Sequence, residues 1–108
     1  MEKEIINLLS YIKISENRKK TLLAIDNNIL TSSEISKKSN IISDRLDIVL
    51  RGLKDKGLIK CLNEEEKRGK VYTTTELGKI MLKYFERDEI YKKPIIIRLI
   101  INKFPKKP

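Results

Sequence analysis

The 108-residue sequence contains no histidine, no tryptophan and a single cysteine, Cys61. One cysteine cannot form an intrachain disulfide framework, and without histidine the Cys/His clusters of zinc sites are excluded. Histidine is also the most frequent general acid and base, and the sequence has neither a glycine-rich phosphate loop nor a Gly-x-Ser-x-Gly elbow. The sequence therefore predicts a protein that is not an enzyme, with no catalytic residue, no metal and no cofactor.

Long hydrophobic runs are also missing. No stretch is long enough to span a bilayer, and the N-terminal sequence MEKEIINLLS carries acidic residues where a signal peptide carries only basic ones. Apolar residues make up 40% of the chain but aromatic residues only 6%, so we expect one small domain with an isoleucine and leucine core. These features predict a cytoplasmic protein that does not associate with a membrane.

The net charge of +9 is distributed unevenly along the chain. Residues 91–108 contain six lysines and arginines and no acid, which leaves 18 basic against 15 acidic residues in positions 1–90. A basic protein favours a polyanionic partner, but most of this chain has a net charge of only +3. The arrangement of the charged residues therefore matters more than their sum.

Hydrophobic periodicity predicts helices throughout the first half of the chain. Residues 3–13 carry an apolar stripe at helical spacing, and Ser15 is placed to cap a second helix that ends in the Asp-Asn-Asn turn at 26–28. The sequence Thr-Ser-Ser-Glu at 31–34 has the pattern of a capping box, which starts a third helix through Lys38. The third helix is therefore short.

A fourth helix is predicted to begin with Ser43 as its cap. Its apolar residues recur at helical spacing and comprise Leu46, Val49, Leu50 and Leu53. Gly57 is expected to end the helix, because glycine readily adopts the left-handed conformation found just beyond helix C-termini.

Two β-prone runs, residues 58–62 and 70–74, follow and are joined by the charged loop NEEEKRG. Thr75 is then placed to cap a fifth helix. Its apolar stripe comprises Leu77, Ile80, Met81, Tyr84 and Phe85. Because an isolated hairpin is marginally stable in water, this one is expected to pack against the helices and to project only its tip. The predicted fold is mainly α with a two-stranded β-wing.

Several landmarks occur in the order typical of one group of proteins. Asn17-Arg18 opens the second helix, EIS lies in the third, LRGLKDKGLI ends the fourth, KRGKVY lies in the wing, and Gly78 follows Thr75. Over residues 15–85 the sequence resembles the winged helix-turn-helix domain of the ArsR and MarR superfamilies of transcription regulators. The resemblance implies binding to double-stranded DNA, with the fourth helix in the major groove and the wing on the backbone or in the minor groove.

The resemblance implies DNA contacts from the third helix, the outer face of the fourth helix and the wing. The candidates are Lys37, Lys38, Ser43, Arg45, Ile48, Arg51, Lys67, Arg68 and Lys70. Arg45 is expected to reach base edges, because recognition helices read with their N-terminal residues, and Arg68 is expected to enter a narrow minor groove. A solvated helix face would show the same pattern, and lysines at a helix end also complement the dipole without a ligand.

Three features depart from the family pattern. ArsR proteins often sense metals through cysteine and histidine, and only Cys61 is present here, so metal sensing is not implied. Asp44 and Asp47 lie on the fourth helix, where Asp47 would repel phosphates unless it accepts from a cytosine amino group or pairs with Arg51. Three glutamates at 64–66 nearly cancel the wing cations. These acids favour the alternative function, a winged-helix module that binds another protein within a larger complex.

The C-terminal segment differs in composition from the rest. We assign residues 1–88 to the winged helix-turn-helix domain with its N-terminal helix, and residues 89–108 to a basic and apolar segment with a disordered end. Its isoleucines are expected to be buried, and a second copy in a homodimer is favoured over packing against the first helix. A basic and apolar anchor at a membrane surface is the third alternative, because one short segment gives only marginal membrane affinity. The predicted dimer interface comprises Ile80, Tyr84, Ile97 and Ile100. The sequence does not identify an effector ligand.

Overall fold

The computed structural model describes residues 2–91 of the chain, with side chains described for residues 3–85. Within this part the elements are α1 (Glu2–Lys13), α2 (Glu16–Ile25), β1 (Leu30–Thr31), α3 (Ser32–Ser39), α4 (Ser43–Asp55), β2 (Ile59–Cys61), β3 (Val71–Thr74) and α5 (Glu76–Tyr91). No helix in this part is long and apolar enough to cross a membrane. Ile97, Ile100 and the whole segment 92–108 lie outside the described residues, so what was predicted for them stays a prediction.

The predicted caps of α2 and α3 are confirmed. Ser15 accepts a hydrogen bond from the Arg18 N–H at the start of α2. At the start of α3, the Thr31 hydroxyl accepts from the Glu34 N–H at 3.2 Å, and the Glu34 carboxylate accepts from the Thr31 N–H at 2.9 Å. The Thr31 N–H bond lowers the pKa of Glu34 below its usual range. Each helix therefore begins where nearby side chains accept hydrogen bonds from its first backbone N–H groups.

The start of α4 differs from its prediction. Ser43 is not the cap but the first residue of α4, and the N-cap position belongs to Ile42, which has no side-chain acceptor. The preceding turn is shaped by Asn40, in the left-handed conformation at φ 60°, and by Ile41, whose side chain is buried. The Ser36 hydroxyl donates to the Ile41 carbonyl oxygen across this turn. Burial of Ile41 therefore decides where α4 begins, and a local capping pattern does not reveal that burial.

The β-structure is a three-stranded antiparallel sheet with the strand order β1-β3-β2. β2 and β3 are the two predicted wing strands, with Ile59 opposite Thr74 and Cys61 opposite Tyr72. The two-residue strand β1 is an addition to the prediction, and its Leu30 lies opposite Tyr72 on the other side of β3. A strand this short has no periodic signal, and its partner is distant in the sequence. The mainly helical fold with a β-wing is confirmed.

The base of the wing is fixed between the end of α4 and the start of α5. Gly57 follows α4 at φ 75°, and the Leu58 N–H donates to the Leu53 carbonyl in a Schellman motif. Gly78 lies against the Leu58 carbonyl oxygen, so a Cβ at this position would overlap that oxygen. The Thr75 hydroxyl accepts from the Gly78 N–H at 3.1 Å and donates to the Gly57 carbonyl at 2.6 Å. The predicted cap of α5 is thus confirmed.

The hydrophobic core joins α1 to the later helices and to the wing base. Its most deeply buried side chains, at most 2% exposed, include Ile12, Leu22, Ile25, Ile35, Leu46, Leu50, Leu53, Leu58, Ile59, Met81 and Phe85. On α5, Leu82 joins Met81 and Phe85 in the buried face, whereas Ile80 is 41% exposed. The intrachain core of α5 is therefore centred on the side of the helix that carries Leu82, and Ile80 lies at its edge, where its predicted role in a dimer interface stays a prediction.

Candidate nucleic-acid interface

The α3-turn-α4 unit presents one face of α4 to solvent. Leu46, Leu50 and Leu53 point inward and are at most 2% exposed. The exposed side chains of α4 before its last turn are Ser43, Asp44, Arg45, Asp47, Ile48 and Arg51. Ile48 is 71% exposed, on the side of the helix opposite the buried leucines. Four of the sequence-predicted contacts, Ser43, Arg45, Ile48 and Arg51, are thus exposed on α4. The predicted Lys37 and Lys38 are exposed in the last turn of α3.

The wing loop is closed by the side chain of Asn63. Its Nδ2 donates to the Gly69 carbonyl at 3.1 Å, and its Oδ1 accepts from the Val71 N–H at 2.9 Å. Gly69 turns the chain with φ 69°, a left-handed conformation that favours glycine. Lys67 and Arg68 are exposed beside this turn. Asn63 was not among the predicted site residues, although an asparagine that precedes a turn often forms such side-chain to backbone hydrogen bonds.

Cys61 is a structural member of β2. Its side chain is partly buried, and its Sγ lies 3.5 Å from the Asn63 Oδ1, to which it donates. Within the described residues, no three of the cysteine, aspartate and glutamate side chains come together as a set that could hold a metal ion. The chemistry available at this surface is therefore that of charge and hydrogen bonding.

A groove separates α4 from the wing. It has a volume of about 280 Å³ and is lined by Asp47, Leu50, Arg51, Lys54, Lys67, Lys70 and Tyr72. The structure thus brings together three of the predicted DNA contacts, Arg51, Lys67 and Lys70, although they come from two different elements. Four of its seven lining residues are cationic and one is acidic, so the groove has an excess of positive charge.

An ion pair crosses from α4 to the wing at this groove. Lys54 Nζ donates to Glu64 Oε1 at 3.0 Å, with the two side chains 37% and 53% exposed. The hydrogen bond between them lowers the pKa of Glu64 and raises the pKa of Lys54. Glu64 is therefore engaged, whereas Glu65 and Glu66 are exposed near the tip. The sequence alone does not distinguish the three glutamates, because their difference arises from the packing of the wing on α4.

Asp47 and Tyr72 line opposite sides of the groove. Among the described side chains, no ion pair joins Asp47 to Arg51, so the pairing considered for Asp47 is not formed. Burial raises the pKa of the Tyr72 phenol, with a further contribution from nearby Cys61. The hydroxyl of Tyr72 therefore remains protonated at neutral pH and is able to donate a hydrogen bond.

Cation-π contacts join Tyr11 of α1 to Arg18 of α2 and to Lys56, the residue that follows α4. The guanidinium of Arg18 lies 3.7 Å from the centroid of the Tyr11 ring and donates to the Tyr11 carbonyl at 2.6 Å. The ammonium of Lys56 lies 5.2 Å from the same centroid. Gly52 of α4 lies against the Tyr11 hydroxyl, so a Cβ at this position would clash with it. The Tyr11 ring therefore lies against Arg18, Gly52 and Lys56, and these contacts were not predicted from the sequence.

Comparison with known proteins identifies the fold. No protein-family model matches the chain, and no curated protein matches it in sequence. Among solved structures it is similar to TubR bound to 24 bp of tubC, from Bacillus thuringiensis serovar israelensis pBtoxis, with a TM-score of 0.68 and 17% identity. That match covers 78% of this chain and 94% of TubR.

Two further structures show a more distant likeness. A mutant of ZitR from Lactococcus lactis matches with a TM-score of 0.50 and 20% identity, over 82% of this chain and 68% of that one. The adhesin competence repressor AdcR from Streptococcus pyogenes matches with a TM-score of 0.50 and 19% identity, over 95% of this chain and 90% of that one. The chain therefore has the winged helix-turn-helix fold, as its resemblance to the ArsR and MarR superfamilies implied.

Proposed function

We propose that this protein is a sequence-specific regulator of transcription that binds double-stranded DNA. The observation that carries the proposal is the pairing of an exposed polar face on α4 with a cationic groove between α4 and the wing. A helix whose opposite face is buried in a helix-turn-helix core is well suited to enter a major groove. The likeness to TubR, whose structure contains 24 bp of tubC, supports a duplex as the partner. The predicted cytoplasmic location belongs to the same proposal.

In this proposal the contact residues have different roles. Arg45 and Ile48 meet base edges from the exposed face of α4. Lys37 and Lys38, in the last turn of α3, and Ser43, the first residue of α4, meet backbone phosphates. The groove between α4 and the wing, which would lie beside the DNA backbone, is lined by Arg51, Lys67 and Lys70. Arg68, exposed at the wing tip, reaches the minor groove, where the potential is most negative.

The assembly we propose is a homodimer. Ile80 is 41% exposed and Tyr84 is partly buried on α5, and together with Ile97 and Ile100 they form the expected interface. A two-fold dimer would present two α4 helices to successive turns of a duplex. Sedimentation at micromolar concentration should therefore give a dimer, and Ile97→Asp combined with Ile100→Asp should give monomer or aggregate. A monomeric wild-type protein would contradict the proposed assembly.

A second candidate function is a protein-binding module, which the acids on the contact surface favour. Asp44 and Asp47 are exposed on α4, and Glu65 and Glu66 are exposed on the wing. Such a surface would bind a basic protein partner through charge complementarity. DNA binding would depend on the cations of this surface, whereas protein binding would depend on its acids. Substitution of the cations therefore distinguishes the two functions.

Arg45→Ala tests the proposed function. If Arg45 makes a bidentate contact to guanine, the substitution should cost about 1 to 3 kcal/mol on the preferred duplex and should relax sequence preference at one position of each half-site. Selection from a random duplex library, followed by fluorescence anisotropy, measures both effects. Lys83→Ala, an exposed cation on α5, is the control and should leave affinity unchanged. A wild-type protein that selects no duplex would overturn the proposed function in favour of the protein-binding module.

A further inference from the structure

The groove between α4 and the wing has an expected occupant if the proposed function is correct, and the inference below rests on that function. With α4 in the major groove and the wing at the adjacent minor groove, one sugar-phosphate strand must pass between them, because that strand forms the ridge separating the two grooves. The ridge then lies over the groove lined by Arg51, Lys54, Lys67, Lys70 and Tyr72. A backbone phosphate is therefore the anion that meets these side chains.

Lys54 is the groove cation whose charge is already engaged. Its ammonium donates to the Glu64 carboxylate at 3.0 Å, across the boundary between α4 and the wing. A carboxylate is an oxyanion, so Glu64 satisfies Lys54 in the same way that a phosphate oxygen would. Glu65 and Glu66 lie on the same loop and are exposed, without such a contact among the described side chains.

We propose that the groove is a binding site for one DNA backbone phosphate, and that Glu64 is an internal competitor that occupies Lys54 when the phosphate is absent. In wild-type protein a phosphate must then displace Glu64 before it binds Lys54, and this displacement reduces the affinity for any duplex. Because backbone contacts carry no sequence information, the competitor lowers affinity for all duplexes and leaves base reading by α4 as the source of preference.

The exposure of the ion pair makes the exchange feasible. Side chains that are 37% and 53% exposed form a pair of the surface type, whose net contribution is small because water screens both charges. A duplex presents one negative charge about every 1.7 Å along its axis, so its local potential exceeds that of a single carboxylate. Lys54 is therefore able to exchange Glu64 for phosphate, and the exchange reduces the gain from binding.

Glu64→Gln tests the competitor, and Glu65→Gln is the matched control, with the same change of charge one residue away. The probe is a random-sequence duplex of 24 bp, the length present in the TubR structure. At about 0.1 M salt, Glu64→Gln should raise affinity about two- to fivefold, as expected for one freed surface cation. Because Lys54 neutralises a phosphate in both proteins, the slope of log affinity against log salt should change by less than about one unit. Glu65→Gln should raise affinity by less than about twofold and leave the slope unchanged.

Lys54→Gln completes a double-mutant cycle. Alone, it should lower affinity about two- to fivefold, and in its presence Glu64→Gln should have no larger effect than Glu65→Gln. If Glu64→Gln instead weakens DNA binding, the Lys54–Glu64 ion pair stabilises the position of the wing, and the proposal that Glu64 competes with phosphate is overturned. Equal effects of Glu64→Gln and Glu65→Gln would also overturn it. Wild-type protein that binds no duplex overturns the proposed function itself, so the two failures are distinguishable.

Discussion

The base of the wing and its tip are held in different ways. At the base, Ile59 and Thr74 are buried, and Gly78 packs against the Leu58 carbonyl oxygen with no room for a side chain. At the tip, residues 65–69 are exposed, and the loop is closed by hydrogen bonds from Asn63. The base depends on shape, which a single methyl group disrupts, whereas the tip depends on a few polar contacts. Substitutions at the base should therefore alter folding, and substitutions at the tip should alter binding.

The largest effect is expected at Gly78. Gly78→Ala places a Cβ where the Leu58 carbonyl oxygen and the Thr74 methyl group lie, so α5 must move away from the wing base. The free energy of unfolding should fall by about 3 kcal/mol, at the upper end of overpacking effects. Urea denaturation monitored by circular dichroism measures the loss.

Gly69→Ala is the matched control at the tip. Gly69 has φ 69°, but none of the described atoms lies within 4 Å of a Cβ at this position. Its substitution should therefore cost only about 1 to 2 kcal/mol, from backbone strain. Equal losses at Gly69 and Gly78 would refute the contrast between a packed base and an open tip.

A smaller effect is expected at Asn63. Asn63→Ala removes the acceptor for the Val71 N–H and the donor to the Gly69 carbonyl, and water satisfies these groups in part because the loop is accessible. The expected loss of stability is about 1 to 2 kcal/mol. Thermal melting provides the measurement, and Asn27→Ala, in the exposed turn after α2, should leave the melting temperature nearly unchanged. A neutral Asn63→Ala would mean that strand pairing alone closes the loop.

The smallest effect on stability is expected at Arg68. Arg68→Ala removes an exposed side chain at the tip and should change the free energy of unfolding by less than about 0.5 kcal/mol. Its effect on DNA binding should be larger: affinity should fall across sequences, and the salt dependence should lose about one unit of slope. Titration of one duplex at several salt concentrations checks this expectation. An unchanged slope would show that Arg68 does not neutralise a phosphate.

Features that depend on neighbours in sequence were predictable. The capping box of Thr31 and Glu34, the Ser15 cap and the Thr75 cap each involve residues within three positions of one another, and all form as predicted. The left-handed Gly57 beyond α4 was predictable for the same reason. The outward face of α4 followed from helical periodicity once its buried leucines were recognised.

Features that depend on tertiary packing were not predictable in this way. The start of α4 is set by the burial of Ile41, and its local sequence favoured Ser43 instead. The pair of Lys54 and Glu64 spans ten residues and exists only because the wing lies beside α4. Whether the predicted contact residues bind DNA depends on a partner that this sequence does not contain.

The closure of the wing by Asn63 has a consequence for the loop length that this fold tolerates. The Asn63 side chain is hydrogen-bonded to the backbone of Gly69 and Val71. These two hydrogen bonds hold the ends of the loop together, and residues 64–68 lie between those ends. We therefore expect insertions between these ends to alter neither the strand register nor the core. Doubling the length of a flexible loop costs only about 0.6 kcal/mol. Insertions or deletions in residues 64–68 should therefore change how far the wing extends from the domain while the stability of the domain changes little.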